Sequence, residues 1–264
     1  MREITDLSEL REIELSIMKK IHVFCEENSI RYFLAYGTLL GAVRHKGFIP
    51  WDDDIDIWMF REDYDKFRTL FPKYGEGIGL YIVGKDTKPY FPRNMYKVCD
   101  SRTELEERKY LYQDKFGVFV DIWPLDGTPN NFIARKLFYA KQSIVYRILY
   151  CGILKREYFA GGIIRNILRE LCNIIGLKNV LDYSEALAKN YKIVGSKYVE
   201  CCAGLPIGLL HEDFENRHLV KFEDTEFYIP NGYDRLLTLV YGNYMEPPPK
   251  EKQIPHHVQN TSWL

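Results

Sequence analysis

The sequence predicts an α/β fold of the α+β type, in which a mixed β-sheet is flanked by helices. Apolar residues recur at helical spacing over residues 7–27 and again over 61–72. Short runs rich in apolar and β-branched residues have the length and composition of strands. These runs are 31–36, 54–60, 80–83, 94–98 and 118–122. Helices and strands in this order are expected to pack as layers against one sheet.

The first helix, over 7–27, has both a start signal and an apolar stripe. Asp6 precedes it and Glu9 follows three residues later, which is the spacing of a capping box. A short second helix is predicted over 39–44, and the helix over 61–72 places its aromatic residues on one side. The apolar stripe of the first helix consists of Leu10, Ile13, Ile17, Ile21 and Phe24.

Four aspartates, at positions 52, 53, 54 and 56, stand between apolar flanks. In a strand with a period of two residues, Asp54 and Asp56 point to one face while Ile55 and Ile57 point into the core. Neighbouring carboxylates repel each other, and a divalent cation favours the ionised form of both. Mg²⁺ takes one or two protein carboxylates together with waters and phosphate oxygens. The pattern therefore predicts a site for Mg²⁺ (or Mn²⁺) in an enzyme that acts on phosphates.

Gly37 and Thr38 lie between a predicted strand and a predicted helix. A glycine and a hydroxyl residue at a helix start present backbone N–H groups to an anion. Alone, the pair is also typical of an ordinary turn. Its position within twenty residues of an Asp-x-Asp strand favours phosphate binding.

At this point the chain resembles the nucleotidyltransferase superfamily. More closely it resembles the LicD family of lipopolysaccharide and teichoic-acid cholinephosphotransferases, to which the fukutin-type proteins are related. Residues 36–44 (YGTLLGAVR) and 48–56 (FIPWDDDID) match the family signature almost throughout, and 241–244 (YGNY), followed by prolines, resembles its tail motif. Thr38 stands where serine is commoner and keeps the hydroxyl. The resemblance implies a nucleotidyltransferase-like core with a third carboxylate on a later strand.

Asp121 is predicted to be that third carboxylate. It lies inside the apolar run FVDIW, where a lone buried charge is costly unless it is paired or bound to a metal. Asp54, Asp56 and Asp121 are therefore predicted as catalytic residues and metal ligands. Asp126, which precedes Gly127, is predicted to be only an edge-strand aspartate or a loop cap.

Five residues are predicted to bind the substrate. Gly37 and Thr38 would contact phosphates, and the basic residues Arg44 and Lys97 would offset the charge of a diphosphate. Arg44 and Lys97 are chosen among several nearby basic residues because their positions resemble family motif residues. His256, on a proline-rich tail, completes the set, although a packing role fits it equally well.

The resemblance implies transfer of phosphocholine from CDP-choline to a hydroxyl of a teichoic-acid or lipopolysaccharide precursor, with release of CMP. An aromatic content of 15% is compatible with a quaternary ammonium substrate. Transfer of ribitol or glycerol phosphate from its CDP form remains open, as does nucleotidyl transfer to a small molecule or RNA. A calcium-binding loop fits poorly, because Ile57 and Asp63 stand where an EF-hand needs glycine and glutamate.

Residues 131–181 differ from the rest of the chain, with nine Lys and Arg residues and two Glu residues. Interleaved apolar residues predict two or three amphipathic helices with basic faces. Their apolar sides could pack internally or dock on anionic lipid, and the second reading suits a lipid-linked glycan acceptor. We divide the chain into a catalytic core over 1–130, a helical basic region over 131–200 and a segment over 201–264 that completes the core.

Composition limits the remaining choices. The formal net charge is −1, so the chain as a whole shows no bias towards polyanions and no nucleic-acid partner is expected. The six cysteines have no CxxC spacing, and the N-terminal residues show neither a charged leader nor an apolar run. We therefore expect a cytoplasmic location, with contact at the inner face of the membrane left open. Cys201 and Cys202 are expected to be buried thiols.

Overall fold

The computed structural model describes residues 2–88, 91–107, 109–111, 115–158, 162–255 and 261–264. The helices in these ranges are α1 (Leu7–Glu27), α2 (Tyr36–His45), α3 (Arg61–Glu76), α4 (Phe132–Ile153), α5 (Ile163–Ile175), α6 (Leu177–Ala188) and α7 (Tyr233–Tyr241). The strands are β1 (Arg2–Ile4), β2 (Phe33–Leu34), β3 (Asp56–Phe60), β4 (Leu80–Val83), β5 (Tyr96–Asp100), β6 (Thr103–Leu105), β7 (Phe119–Gly127), β8 (Tyr198–Glu200), β9 (Leu209–Leu210), β10 (Arg217–Phe222), β11 (Thr225–Pro230) and β12 (Thr261–Trp263).

The central sheet has the strand order β2-β3-β7-β5-β4, and β8 extends it by pairing with the end of β7. β3 and β7 run parallel, whereas β2, β5, β4 and β8 pair antiparallel with their neighbours. α1 and α3 pack on this sheet. The predicted fold class, a mixed sheet flanked by helices, is confirmed.

The segment that carries the aspartates departs from its predicted bounds. β2 is limited to Phe33–Leu34, and α2 begins at Tyr36, so Gly37 and Thr38 lie in its first turn. β3 begins at Asp56, which leaves Asp54 in the irregular segment before the strand. The strand prediction for residue 54 was therefore wrong. A hydrogen bond explains the late start, because the Asp56 backbone N–H donates to the Thr38 hydroxyl (2.8 Å) and not to a neighbouring strand.

The prediction for Asp126 was also wrong. β7 continues through this residue to Gly127, and Asp126 is buried within the strand. Its carboxylate accepts two hydrogen bonds from the Arg61 guanidinium, at 2.8 and 2.6 Å. A buried carboxylate is tolerated in the sheet because this bidentate pair satisfies it. An Asp-Gly pair is typical of a turn. Arg61, the partner of Asp126, is distant in the sequence and could not be recognised from the local pattern.

The helical prediction for the basic region is confirmed: α4, α5 and the start of α6 occupy it. These helices have an apolar cluster of their own, which includes Val145, Leu149 and Val180. Residues from the C-terminal part, among them Phe214 and Leu236, belong instead to the main core. The three-part division of the chain stays a prediction. None of the described helices is long and apolar enough to span a bilayer.

The first helix is capped as predicted at Asp6, whose carboxylate accepts the Ser8 backbone N–H at 2.9 Å. Glu9 does not complete a capping box. It accepts a hydrogen bond from the Trp263 indole at 2.9 Å and so connects α1 to β12. Cys201 and Cys202 are buried thiols, as predicted.

Candidate active site

Two carboxylates and one lysine form a row across three adjacent strands. Asp56 on β3 is in register with Asp121 on β7, and Asp121 is in register with Lys97 on β5. The Lys97 ammonium donates to Asp121 Oδ1 at 2.7 Å, and the Trp123 indole N–H donates to Asp56 Oδ1 at 2.6 Å. All three side chains of the row are buried. The sheet thus brings together two predicted acids that are 65 residues apart in the sequence.

Asp52, Asp53 and Asp54 form a second group of carboxylates on the loop before β3. One oxygen from each of the three lies within 4.8 Å of the others, a spacing at which they could hold a metal ion. α1 supports this loop, since the Arg11 guanidinium donates to the backbone oxygens of Ile49 and Asp52 at 2.7 to 3.0 Å. The loop conformation is therefore fixed by a helix that precedes it in the chain.

Glu14, one turn beyond Arg11, faces the same loop from inside the core. Burial, followed by the charges of Asp54, Asp53 and Asp52, raises the pKa of Glu14 well above its usual value. Its Oε2 atom has no hydrogen-bond partner in the part of the chain that the structure describes. The raised pKa favours the neutral form of Glu14, which is the response expected of a buried acid beside three carboxylates.

Burial and the neighbouring charges of Asp54 and Asp121 raise the pKa of Asp56 well above its usual value. Burial also raises the pKa of Asp121, although Lys97 and Arg93 oppose the shift. Asp54 influences both Glu14 and Asp56, so it joins the loop group to the strand row. Mutual repulsion of this kind is relieved by a divalent cation, and carboxylate oxygens are the ligands that Mg²⁺ and Mn²⁺ prefer. The residues present fit such an ion.

A cavity of about 410 Å³, here called the charged cavity, opens beside the loop. Gly37 and Asp52 line it at the acidic side, and a Cβ atom at position 37 would lie 2.7 Å from Asp52 Oδ2. Glycine is thus needed for the close approach of this carboxylate to the helix start. Arg44 also lines the cavity, and its guanidinium donates to the Tyr244 carbonyl oxygen at 2.7 Å. The other charged lining residues are Glu246 and Lys252.

A second cavity, of about 320 Å³, is also lined by a residue at the start of α2, Tyr36. We call it the aromatic cavity because four rings line it, those of Tyr36, Trp123, Tyr146 and Tyr150. Tyr36 borders this cavity and the next residue, Gly37, borders the charged cavity. Trp123 connects the aromatic cavity to the carboxylates through its hydrogen bond to Asp56.

Comparison with known proteins shows the family of this chain. The family model described as LicD/FKTN/FKRP, nucleotidyltransferase domain, matches residues 29–162. The chain belongs to the LicD family. It is 33% identical to the lipopolysaccharide cholinephosphotransferase LicD of Haemophilus influenzae over 98% of each chain. It is also 30% identical to the human ribitol 5-phosphate transferase FKRP, over 42% of this chain and 19% of that protein. The predicted membership of the LicD family, related to fukutin-type proteins, is thus confirmed.

Within this LicD-family chain, the residues predicted to bind substrate fall into different surroundings. Gly37 and Arg44 line the charged cavity, whereas Thr38 is buried and its hydroxyl accepts the Asp56 backbone N–H. Lys97 is buried against Asp121, with Glu107 at 3.8 Å. His256 lies outside the described residues. The roles assigned to these five residues stay predictions.

Sequence reasoning did not select several residues that the fold places at the site. Glu14 had a signal, because it is a charged residue on the apolar stripe between Ile13 and Ile17. Trp123 also had one: it follows Asp121 by two residues and so points to the same side of the strand. Tyr146 and Tyr150 had no such signal in the sequence, because only the packing of α4 brings them to the aromatic cavity.

Proposed function

We propose that the protein is a metal-dependent phosphotransferase that moves phosphocholine from CDP-choline to a hydroxyl of a cell-surface glycan precursor and releases CMP. The near full-length similarity to a lipopolysaccharide cholinephosphotransferase supports this substrate. The observation that carries the proposal is the position of the acids: Asp56 and Asp121 lie side by side near Asp54, and two cavities are lined by their neighbours Trp123 and Asp52. A donor with a group at each end would place its diphosphate over these carboxylates.

Asp54, Asp56 and Asp121 would hold the Mg²⁺ or Mn²⁺ ions. Bound metal would offset the charge of the diphosphate and of the departing CMP. The chain's own residues prepare this position. The backbone of Asp56 is fixed from two sides, because its carbonyl accepts the Ala35 N–H at 2.9 Å and its N–H donates to Thr38. Thr38 thus acts by positioning Asp56, in addition to any contact with phosphate.

The CMP portion of the donor would occupy the charged cavity. Gly37 lines this cavity at the start of α2, where backbone N–H groups favour an anion such as a phosphate oxygen. Arg44 is held by the Tyr244 carbonyl with guanidinium N–H groups to spare for a phosphate. Asp121, neutralised in part by Lys97, would bind a second metal or orient the acceptor hydroxyl for in-line attack.

The test is a donor panel. We expect the protein with Mg²⁺, CDP-choline and a lipopolysaccharide or teichoic-acid precursor to release CMP and label the acceptor with phosphocholine, and EDTA to stop both. Activity with CDP-ribitol or CDP-glycerol, and none with CDP-choline, would change the proposed substrate but keep the proposed mechanism. Ribitol phosphate transfer is the second candidate because the chain is similar to the human ribitol 5-phosphate transferase. A product that carries CMP, or salt-sensitive RNA binding, would instead support nucleotidyl transfer.

The acceptor is proposed to be lipid-linked and to be met at the inner face of the membrane. α5 supports this, because its apolar side is exposed to solvent: Ile163 is 80% exposed and Ile174 is 81% exposed. At about 100° per residue, its exposed apolar residues fall within about one third of the helix circumference. They are Ile163, Ile164, Ile167, Leu171, Ile174 and Ile175.

α4 exposes a similar strip, formed by Ile133, Leu137 and Ile144. Helical geometry places Lys136 and Arg147 along one side of the strip and Lys141 along the other. Apolar side chains between basic ones are typical of surfaces that lie on anionic lipid. Two copies that met through this strip would bring their lysines together, so charge favours a bilayer over a second copy.

We expect Ile167→Glu/Ile174→Glu to lower binding to phosphatidylglycerol-containing vesicles by about tenfold or more, since each buried isoleucine side chain contributes about 1.5–3 kcal/mol. Vesicle sedimentation measures this. Asn166→Glu/Asn173→Glu, which adds the same two negative charges to the polar side of α5, is the matched control and should change binding little. The membrane contact would be refuted if the wild-type protein formed a dimer and did not bind anionic vesicles.

A further inference from the structure

We infer that the aromatic cavity binds the quaternary ammonium group of the donor. The inference rests on the proposed transfer of phosphocholine and assigns a place to the part of the substrate that distinguishes choline from other alcohols. Aromatic faces hold such cations because the ring quadrupole attracts positive charge and no hydrogen bond is needed. Four rings around about 320 Å³ give the cavity the required walls and size.

The rings come from two separate parts of the fold. Tyr36 and Trp123 belong to the sheet side, with ring centres 6.0 Å apart and planes nearly perpendicular at 83°. Tyr146 and Tyr150 come from α4, one turn apart, and their rings are stacked at 5.8 Å. Faces with different orientations can surround a trimethylammonium group, which is roughly spherical. The rest of the cavity lining is largely apolar and includes Leu149 and Ile153 from α4 and Ile207 from the segment between β8 and β9.

Trp123 fixes the distance from this cavity to the chemistry. Its indole N–H holds Asp56 at 2.6 Å while its ring forms part of the cavity wall. In phosphocholine, only two carbons and an oxygen separate the nitrogen from the phosphorus. An ammonium group against the Trp123 ring would therefore leave the phosphate near Asp56 and Asp121, where the transfer needs it.

Arg93 is the charged residue that lines this cavity, and its own charge is already offset. Burial alone would lower the pKa of Arg93, but Tyr110, Glu107 and Asp121 outweigh it and hold the pKa above its usual value. The Arg93 guanidinium lies 5.0 Å from the Tyr110 ring centre and 5.9 Å from that of Trp123. The indole thus already takes part in one cation–π contact.

The backbone of Tyr36 supplies an independent indication. Its φ is 43°, a value that is unusual for a bulky aromatic residue and costs about 1–3 kcal/mol. Packing against Trp58, with ring centres 4.8 Å apart, holds the conformation. Strain of this kind is kept at functional sites more often than elsewhere. Here it turns the chain from β2 into α2 while the Tyr36 ring borders the cavity.

Cytosine could also stack between these rings, and the two occupants make different predictions. We expect Tyr146→Leu to raise KM for CDP-choline by about 3- to 30-fold, which corresponds to the usual worth of a cation–π contact. KM for CDP-ribitol, which has the same base and no cation, should stay within about twofold. Tyr183→Leu, which removes an exposed tyrosine on α6, is the matched control and should behave like the wild type.

An equal rise in KM for all CDP-alcohols would overturn the inference in favour of base stacking, and an unchanged KM for CDP-choline would overturn it outright. Both results leave the proposed function intact. If the wild type uses no CDP-alcohol, the proposed function fails. A direct binding measurement then tests whether the aromatic cavity binds a quaternary ammonium group. Tetramethylammonium should then quench tryptophan fluorescence in the wild type and less in Trp123→Phe; no quenching in the wild type would refute the site.

Discussion

Asp56→Asn should lower kcat/KM for phosphocholine transfer by about 10²–10³-fold while the protein stays folded. Loss of one charged ligand at a site that stabilises transferring phosphate typically has an effect of this size. The amide keeps the shape of the side chain and can still accept the Trp123 hydrogen bond. The measurement is CMP release at saturating Mg²⁺, with circular dichroism to check the fold.

The same substitution should leave the free energy of unfolding unchanged or raise it. Asp56 is buried beside Asp54 and Asp121, whose charges oppose its ionisation, so removal of its charge relieves repulsion. A residue that costs stability and is needed for activity is typical of a functional site. Near-normal turnover in Asp56→Asn would remove the proposed mechanism.

Asp126→Asn is the matched control, because Asp126 lies on β7 with Asp121 and is equally buried. Its carboxylate is paired with Arg61. Disruption of a buried pair costs about 3–5 kcal/mol of stability, and we expect turnover of the folded fraction to be retained. Substitution of Asp56 should therefore lower activity without loss of stability, whereas substitution of Asp126 should lower stability without loss of activity.

The sequence was sufficient for the parts of the site that depend on local pattern. Asp56 and Asp121 each interrupt an apolar strand, and a charge in such a run must be paired or bound. The parallel pairing of β3 with β7 places the two acids opposite each other, near the start of each strand, and agrees with the mixed sheet that the sequence predicts. The helical region was equally visible, because amphipathic spacing is a local property.

Other features depend on contacts between distant segments and had no local signal. Asp54 was placed in a strand because its alternation with Ile55 fits a period of two. The Thr38 hydroxyl takes the backbone N–H of Asp56, and β3 starts only there. Asp126 looked like a turn residue until Arg61 supplied its partner. In both cases a hydrogen bond with a side chain that is distant in the sequence determines the local structure. Sequence pattern considers only neighbouring residues and therefore misses such bonds.

Both cavities are outside the reach of sequence pattern for the same reason. The charged cavity joins the start of α2 to Tyr241 and Tyr244 near the C-terminus. Burial and the charges of Asp56 and Asp52 raise the pKa of Tyr241, which places this residue near the acids. The aromatic cavity likewise joins the sheet to α4. The chemistry of the site was predictable from single segments, whereas its binding surfaces are properties of the assembled fold.

Lys97→Met should lower the free energy of unfolding by about 3–5 kcal/mol, the usual cost of leaving a buried charge without its partner. The Lys97 ammonium is 2.7 Å from Asp121 Oδ1 and 3.8 Å from Glu107, and it lies 3.2 Å from the Phe119 ring centre. It is 1% exposed. This position favours a role in holding Asp121 over direct contact with substrate. Urea unfolding measures the loss.

A double substitution separates the two roles of Lys97. Lys97→Met/Asp121→Asn removes both charges of the pair, so most of the lost stability should return while activity stays low, because Asp121 is gone. Lys178→Met is the control: it breaks the Lys178–Asp182 pair, and because both of these side chains are exposed, the loss should be no more than about 1 kcal/mol. If Lys97 instead contacts a substrate phosphate, Lys97→Met would raise KM for CDP-choline without loss of stability, and the double substitution would restore nothing.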